Sequence, residues 1–193
     1  APSSDVTIDT IFSSLQYAQR ELLGSYQTLP YGLNLDWSAK GNKLGMDILE
    51  ALTDLNQSYL SWGGAAQLYY NGVLDAGIEN TSINTKYGYT SEDNWLGIRR
   101  AYTFVENIDR VPDADAQTKK QLKAEARMVI AVHYCDMFRN FGGLPWVNHA
   151  YKPTEDTFLP RLTARATLDS ITALINKAIP DLSWTLANLD NDD

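Results

Sequence analysis

Between residues 56 and 90 the chain carries its densest set of groups able to grip a flat ligand. Tyr59, Trp62, Tyr69, Tyr70, Tyr87 and Tyr89 lie there among Asn56, Gln57, Gln67, Asn71 and Asn84. A Tyr or Trp ring offers an apolar face with a polar handle, so it suits a surface that stacks on a ligand. A side-chain amide offers a donor and an acceptor in one plane. Trp62 is foremost among them, because Gly63-Gly64 beside it permits close approach. Tyr69 and Tyr70 are neighbours; on a helix they diverge by about 100°, so at most one of them faces a ligand. Trp37, in the polar loop 34–42, is placed to join the same rim. The competing reading of all these rings is structural: a large surface loop whose aromatics pack down on helices or meet a partner protein.

Other reactive side chains form no recognisable constellation. His133 sits in the middle of a helical pattern, where a packed and hydrogen-bonded residue is expected, and His149 follows it in a loop. No His-x-x-x-His pair and no third ligand accompany them, so no metal site is expected. Cys135 lies inside an apolar helical pattern and reads as a buried thiol; His133, two residues away, points elsewhere on a helix. Glu92-Asp93 is the most conspicuous acid pair, and a helix N-terminus at Ser91 already accounts for it. A glycosidase needs two carboxylates at a set separation in a cleft, and no motif announces one. No strand followed by a Gly-rich loop is present to cradle phosphate, and no cofactor is expected.

Composition narrows the field. The 193 residues are 44% apolar and 21% charged, enough to fill one core without staples. A net charge of -8 with no basic stripe opposes nucleic-acid binding and direct adhesion to anionic membranes. One cysteine excludes a disulfide framework. No stretch reaches the ~20 apolar residues of a membrane span, and residues 1–5 contain no charged-then-apolar signal region.

Periodicity supplies the elements that must position these groups. A helix is expected over 8–26, with Thr7 as cap and Ile8, Ile11, Phe12, Leu15, Leu22, Leu23 and Tyr26 on one stripe. A second is expected over 43–55. Residues 56–90 lose the period and form a long irregular excursion, of which 64–74 could be helical; such excursions in compact domains are commonly functional. Helical pattern returns over 91–108, with Trp95, Ile98, Tyr102, Val105 and Ile108 on one face. It continues over 118–141, with Leu122, Ala126, Val129, Ile130, Tyr134, Met137, Phe138 and Phe141 in register. Gly142-Gly143 and Pro145 stop that helix. The last helix, over 167–179, carries Leu168, Ile171, Leu174, Ile175, Ala178 and Ile179, and Pro180 ends it. No strand is expected. The fold class is therefore all-α, a single helical domain over 1–193 with the excursion at 56–90. Without strands, helices pack on helices in antiparallel pairs; Trp95 and Tyr102 have tetratricopeptide-like spacing, while the Leu and Gly of that pattern are out of register.

Three segments in order carry a resemblance. The first is Trp95-Leu96-Gly97-Ile98-Arg99-Arg100-Ala101-Tyr102 running on to Ile108. The second is Ala124-Glu125-Ala126-Arg127 leading through Tyr134 to Phe138-Arg139-Asn140-Phe141-Gly142-Gly143-Leu144-Pro145-Trp146-Val147. The third is Arg165 and Thr167 opening a helix through Ile171, Ile175 and Ala178. Together they resemble the SusD/RagB family of nutrient-binding outer-membrane lipoproteins of the Bacteroidetes. The chain departs from the family pattern at Tyr102, where Asn is usual, and at Val129-Ile130-Ala131, where an aliphatic-Arg-Ala run is usual; both mark a divergent member.

The resemblance implies a tetratricopeptide-like fold at the extracellular face of the outer membrane, held by a lipid on a Cys preceding this chain. It implies a SusC-type TonB-dependent transporter as partner, a glycan or other nutrient as ligand, and a chain that is the N-terminal portion of a longer protein. Arg127 and Arg139 are then structural, with Glu125 as a candidate partner. Carbohydrate recognition needs flat apolar faces for the C–H side of sugar rings and planar polar groups for paired hydroxyls. The excursion supplies both, so Trp62, Tyr59, Tyr70, Tyr69, Tyr87, Tyr89, Asn71 and Trp37 are the expected ligand-binding residues. Non-catalytic binding of an oligosaccharide or polysaccharide is the leading expectation. The alternatives are a helical-repeat scaffold that binds a protein and a helical hydrolase acting on glycans.

Overall fold

A computed structural model describes residues 7–29, 54, 72, 94–152 and 154–183. The helix expected at 43–55 apart from Asp54, the excursion 56–90 apart from Gly72, and the cap at Ser91 lie outside the described residues.

The first helical stretch is two helices, α1 (Ile8–Ile11) and α2 (Leu15–Tyr26), rather than one. Thr7 caps α1, its hydroxyl accepting from Thr10 N. The break comes from serine chemistry and one distant carboxylate. Ser13 donates to the Thr10 carbonyl at 2.8 Å. Ser14 takes an extended conformation, and its hydroxyl accepts from Tyr17 N. Leu15 N then donates to Asp113 Oδ1 at 2.7 Å, a partner no local pattern could reveal. The break changes the helical phase, so Ile8 stays exposed; Leu23 is exposed too, while Phe12 and Leu22 are buried.

Helix α3 (Asn94–Asn107) passes through a 3-10 turn (Ile108–Arg110) into α4 (Ala116–Phe141). Asp115 caps α4 by accepting from Thr118 N at 2.7 Å, so the helix starts two residues before the expected 118. That backbone N–H holds the Asp115 carboxyl below the usual carboxylate range. At the far end Gly142 takes φ +69, which glycine tolerates, and its N–H closes on the Phe138 carbonyl. Helix α5 (Ala164–Ala178) begins three residues earlier than expected, because Thr163 is its cap. Thr167 is consequently an interior, buried residue. Leu168 and Ile179, expected on the buried stripe, are exposed.

Helices α3 and α4 form a helix–turn–helix pair; α2 packs on both, and α5 packs on the other side of α4. Ile98, Ala101, Phe104 and Ile108 meet Leu122, Ala126, Val129, Ile130, Tyr134 and Met137, with Phe12 tilted against Phe104 at 5.8 Å and Ile171 closing the core. Each large apolar side chain sealed here contributes about 1.5–3 kcal/mol. Because α4 has neighbours on several sides, Ala124, Ala131, His133 and Asp136 are buried as well as the expected stripe. Arg139 pairs with Asp136 at 2.7 Å. Among the described residues Glu125 pairs with no arginine; it accepts from Tyr26 and Gln121. Cys135, expected inside, is exposed. No helix among the described residues is long and apolar enough to cross a membrane.

One buried polar junction joins three helical segments. His133 of α4 has Nδ1 2.8 Å from Asn94 Oδ1 at the start of α3, and Nε2 2.9 Å from Thr28 Oγ1 just beyond α2. Thr28 in turn donates to the Ser25 carbonyl at 2.6 Å. Gly97 makes the approach possible, since a Cβ there would stand 2.2 Å from His133 Nε2 and 2.3 Å from Thr28 Oγ1. Gly97→Ala is therefore expected to destabilise the chain by about 2–3 kcal/mol. Gly24→Ala, whose Cβ would meet nothing nearer than Arg100 Nη1 at 3.6 Å, should stabilise by about 0.5 kcal/mol, because alanine orders more cheaply in a helix. Urea denaturation of both variants measures the contrast in sign.

Candidate ligand-binding site

After α4 the chain lies along α3, meeting it from Trp95 to Glu106, and leads to α5 as a strap, residues 142–152 and 154–163. Its base is closed by close backbone contact: a Cβ at Gly143 would lie 2.0 Å from the Leu162 carbonyl oxygen. Leu162 N donates to Leu144 O at 3.0 Å, and Leu144 N to Thr167 Oγ1 at 3.1 Å. Arg161 donates to the carbonyls of Gly143 and Phe141, at 2.9 and 2.6 Å, and so satisfies orphan acceptors at the end of α4.

Two core tyrosines fasten the next part. Tyr134 accepts from Val147 N at 2.7 Å and donates to Pro145 O at 3.3 Å. Tyr102 donates to Val147 O at 2.9 Å. Trp146 stacks on the Tyr134 ring at 4.2 Å, and Trp95 meets that ring edge-on at 6.2 Å. Ala150 N donates to Glu106 at 3.0 Å. The segment is thus held extended, and an extended chain sends alternate side chains the same way.

That alternation builds a cavity of about 320 Å³. Pro145, Val147, His149 and Tyr151 line one wall at every second residue, with Thr157 and Leu159 continuing it. Helix α3 supplies the other wall through Trp95, Ile98 and Arg99, one helical turn of one face. His149 stacks on Tyr151 at 4.1 Å, and its Nε2 lies 3.2 Å from Glu155 Oε1. Glu155 also accepts from Lys152 N at 2.6 Å. That N–H first, and His149 second, hold the Glu155 carboxyl below its usual range.

The chemistry available here is stacking, apolar contact and hydrogen bonding. Among the described residues the lining contains no Asp or Glu, and the Glu155 carboxylate is turned to His149. Cys135 is outside the cavity and partial burial pushes its thiol above the ordinary value, the wrong direction for a nucleophile. No group of three potential metal ligands occurs among the described residues.

The ligand residues expected from sequence, Trp37, Tyr59, Trp62, Tyr69, Tyr70, Asn71, Tyr87 and Tyr89, all lie outside the described residues. The cavity residues were not expected. Trp95 reads from its period as a core residue, yet it is only half-buried and lines the cavity. Two signals could have found the site: Trp95 and Arg99 four apart on a helix, and the alternation Pro145, Val147, His149, Tyr151 directly after a helix stop.

The tyrosine fastening has a pH signature. Burial first, and Glu106 second, push the Tyr102 hydroxyl from 10.0 up to about 12. Its proton is bound more tightly in the folded chain, so its contribution to stability is complete below pH 10 and lost as pH rises to about 12. Tyr102→Phe should cost about 1 kcal/mol at neutral pH and flatten part of the alkaline loss, as measured by urea denaturation across that range.

No family model matches the sequence, and no curated protein matches it either. Solved structures do. A laminarin-binding SusD-like protein is 20% identical with a TM-score of 0.68, over 89% of this chain and 35% of its own. A SusD-like protein from Bacteroides fragilis is 17% identical with a TM-score of 0.64, over 98% of this chain and 34% of its own. A SusD-like carbohydrate-binding protein from the same organism is 20% identical with a TM-score of 0.64, over 89% of this chain and 32% of its own. The chain thus spans about a third of the length of the structures it matches. Mostly helical, with no strand among the described residues, it has the SusD-like fold, built on tetratricopeptide-like helix pairs.

Proposed function

We propose that this chain binds a glycan without turning it over, at the outer face of a bacterial outer membrane, for delivery to a SusC-type TonB-dependent transporter. The observation that carries the reading is an aromatic, apolar cavity without lining carboxylates, set on a fold shared with a laminarin-binding SusD-like protein. Trp95 and Tyr151 offer ring faces to the C–H side of a sugar. The aromatic and amide groups of the excursion, with Trp62 foremost and Tyr59, Tyr69, Tyr70, Asn71, Tyr87, Tyr89 and Trp37 around it, belong to the same proposal as further stacking and hydrogen-bonding groups. A lipid anchor upstream of this chain would hold it at the surface.

Tryptophan fluorescence should report saturable binding of at least one plant, host or microbial oligosaccharide, with no new reducing ends after prolonged incubation. Trp62→Ala should weaken that binding at least about tenfold, the scale of one lost stacking contact. Release of product would overturn the non-catalytic reading, and silence toward every saccharide would overturn glycan binding.

A protein-contact surface has one observation on its side. Phe158 is 96% exposed, on a loop shaped by Phe158 N donating to Asp156 Oδ1 at 2.8 Å. Phe158→Ala is expected to weaken co-purification with the transporter while saccharide titrations stay unchanged; the reverse pattern would place Phe158 in the sugar site.

A further inference from the structure

We propose that the cavity between α3 and the strap takes the carboxylate-bearing ring of an acidic saccharide, a uronate, and that Arg99 selects for its charge. The inference rests on the glycan-binding reading and sharpens it. Size is the first argument: about 320 Å³ lies at the small end of ligand sites, room for one ring and not a chain. Composition is the second. Ile98, Pro145, Val147 and Leu159 give walls with few polar groups. A neutral sugar has only the neutral polar groups of Trp95, His149, Tyr151 and Thr157 to replace the water on its hydroxyls. A uronate changes that balance, because one charge-assisted pair can hold the ring while its C–H face lies on Trp95 or Tyr151.

The third argument is the state of the arginines. Arg110, Arg139 and Arg165 each pair with a carboxylate, of Asp9, Asp136 and Asp169. Arg100 and Arg161 donate to main-chain carbonyls. Arg20, Arg99 and Arg127 do neither among the described residues, although the chain carries 24 acids against 16 lysines and arginines, and of these three Arg99 alone lines the cavity. A guanidinium without a carboxylate at the edge of an apolar cavity is matched by a bidentate anionic group on a ligand. His149 does not supply that charge complementarity, since Glu155 already faces it. Its stack on Tyr151 instead fixes the ring wall.

The test is calorimetric titration of the whole chain with oligomers of galacturonate, glucuronate and mannuronate, each against its carboxyl-reduced neutral counterpart. At least one acidic oligomer should bind roughly tenfold tighter than its neutral twin, with the preference shrinking as salt rises. Arg99→Gln should bring the acidic oligomer down to the neutral affinity, and Arg99→Lys should restore part of the difference. Equal binding of acidic and neutral forms would overturn this inference and leave glycan binding standing. An acidic preference that survives Arg99→Gln would overturn the assignment to Arg99. No binding of either form would overturn this inference, while the glycan reading stands or falls with the wider saccharide panel.

Discussion

The imidazole of His133 has to be satisfied in a place water does not reach, and the arrangement of the helices follows from that requirement. A buried polar group without partners costs several kcal/mol, so the fold must bring its partners to it. Asn94 comes from the first residue of α3 and Thr28 from the chain just past α2. Gly97 gives the ring its space. Three chain segments distant in sequence are thereby set in one register, which apolar packing alone would define less sharply, since hydrophobic contact is non-directional.

The neighbouring residue on α4 does the corresponding work for the strap. Tyr134 points about 100° away from His133, and its hydroxyl both accepts from Val147 and donates to Pro145. Its ring lies between Trp146 and Trp95. One wall of the cavity is therefore tied to the same helix that carries the central junction, and the other wall stands on α3, which that junction positions. Tyr102 adds a second hydroxyl to the same backbone segment. The rings that line the cavity stand on backbone that has few alternatives, which would keep the entropic cost of binding low.

Much of the helical framework was legible in residue order. The period of 118–141 predicted Ala116–Phe141 within two residues, and Gly142 marked its end. Thr7 was legible as a cap because its chemistry is local. The errors fall where distant groups intervene. Asp113 reaches Leu15 N and helps split the first helix. Neighbours on several sides of α4 bury residues outside its stripe, while Cys135 within it faces outward. Glu125 found Tyr26, ninety-nine positions away, where an arginine had been the expected partner. The cavity was missed because half of it is extended chain of mixed composition, whose alternation acquires meaning only beside Trp95 and Arg99.

The sequence by itself determined that the chain is helical, where its strongest helices lie, and that stacking aromatics are abundant. These are properties of local pattern: period, capping, helix stops and composition act over a few residues. Tertiary structure alone decided which aromatic faces a cavity and which fills the core. Trp95, Trp146 and Tyr134 have equivalent local credentials, yet Tyr134 is sealed, Trp146 lies on it and Trp95 lines the cavity. The reason is that burial is set by what packs opposite a side chain, and the opposing residues here lie up to about sixty positions away along the chain.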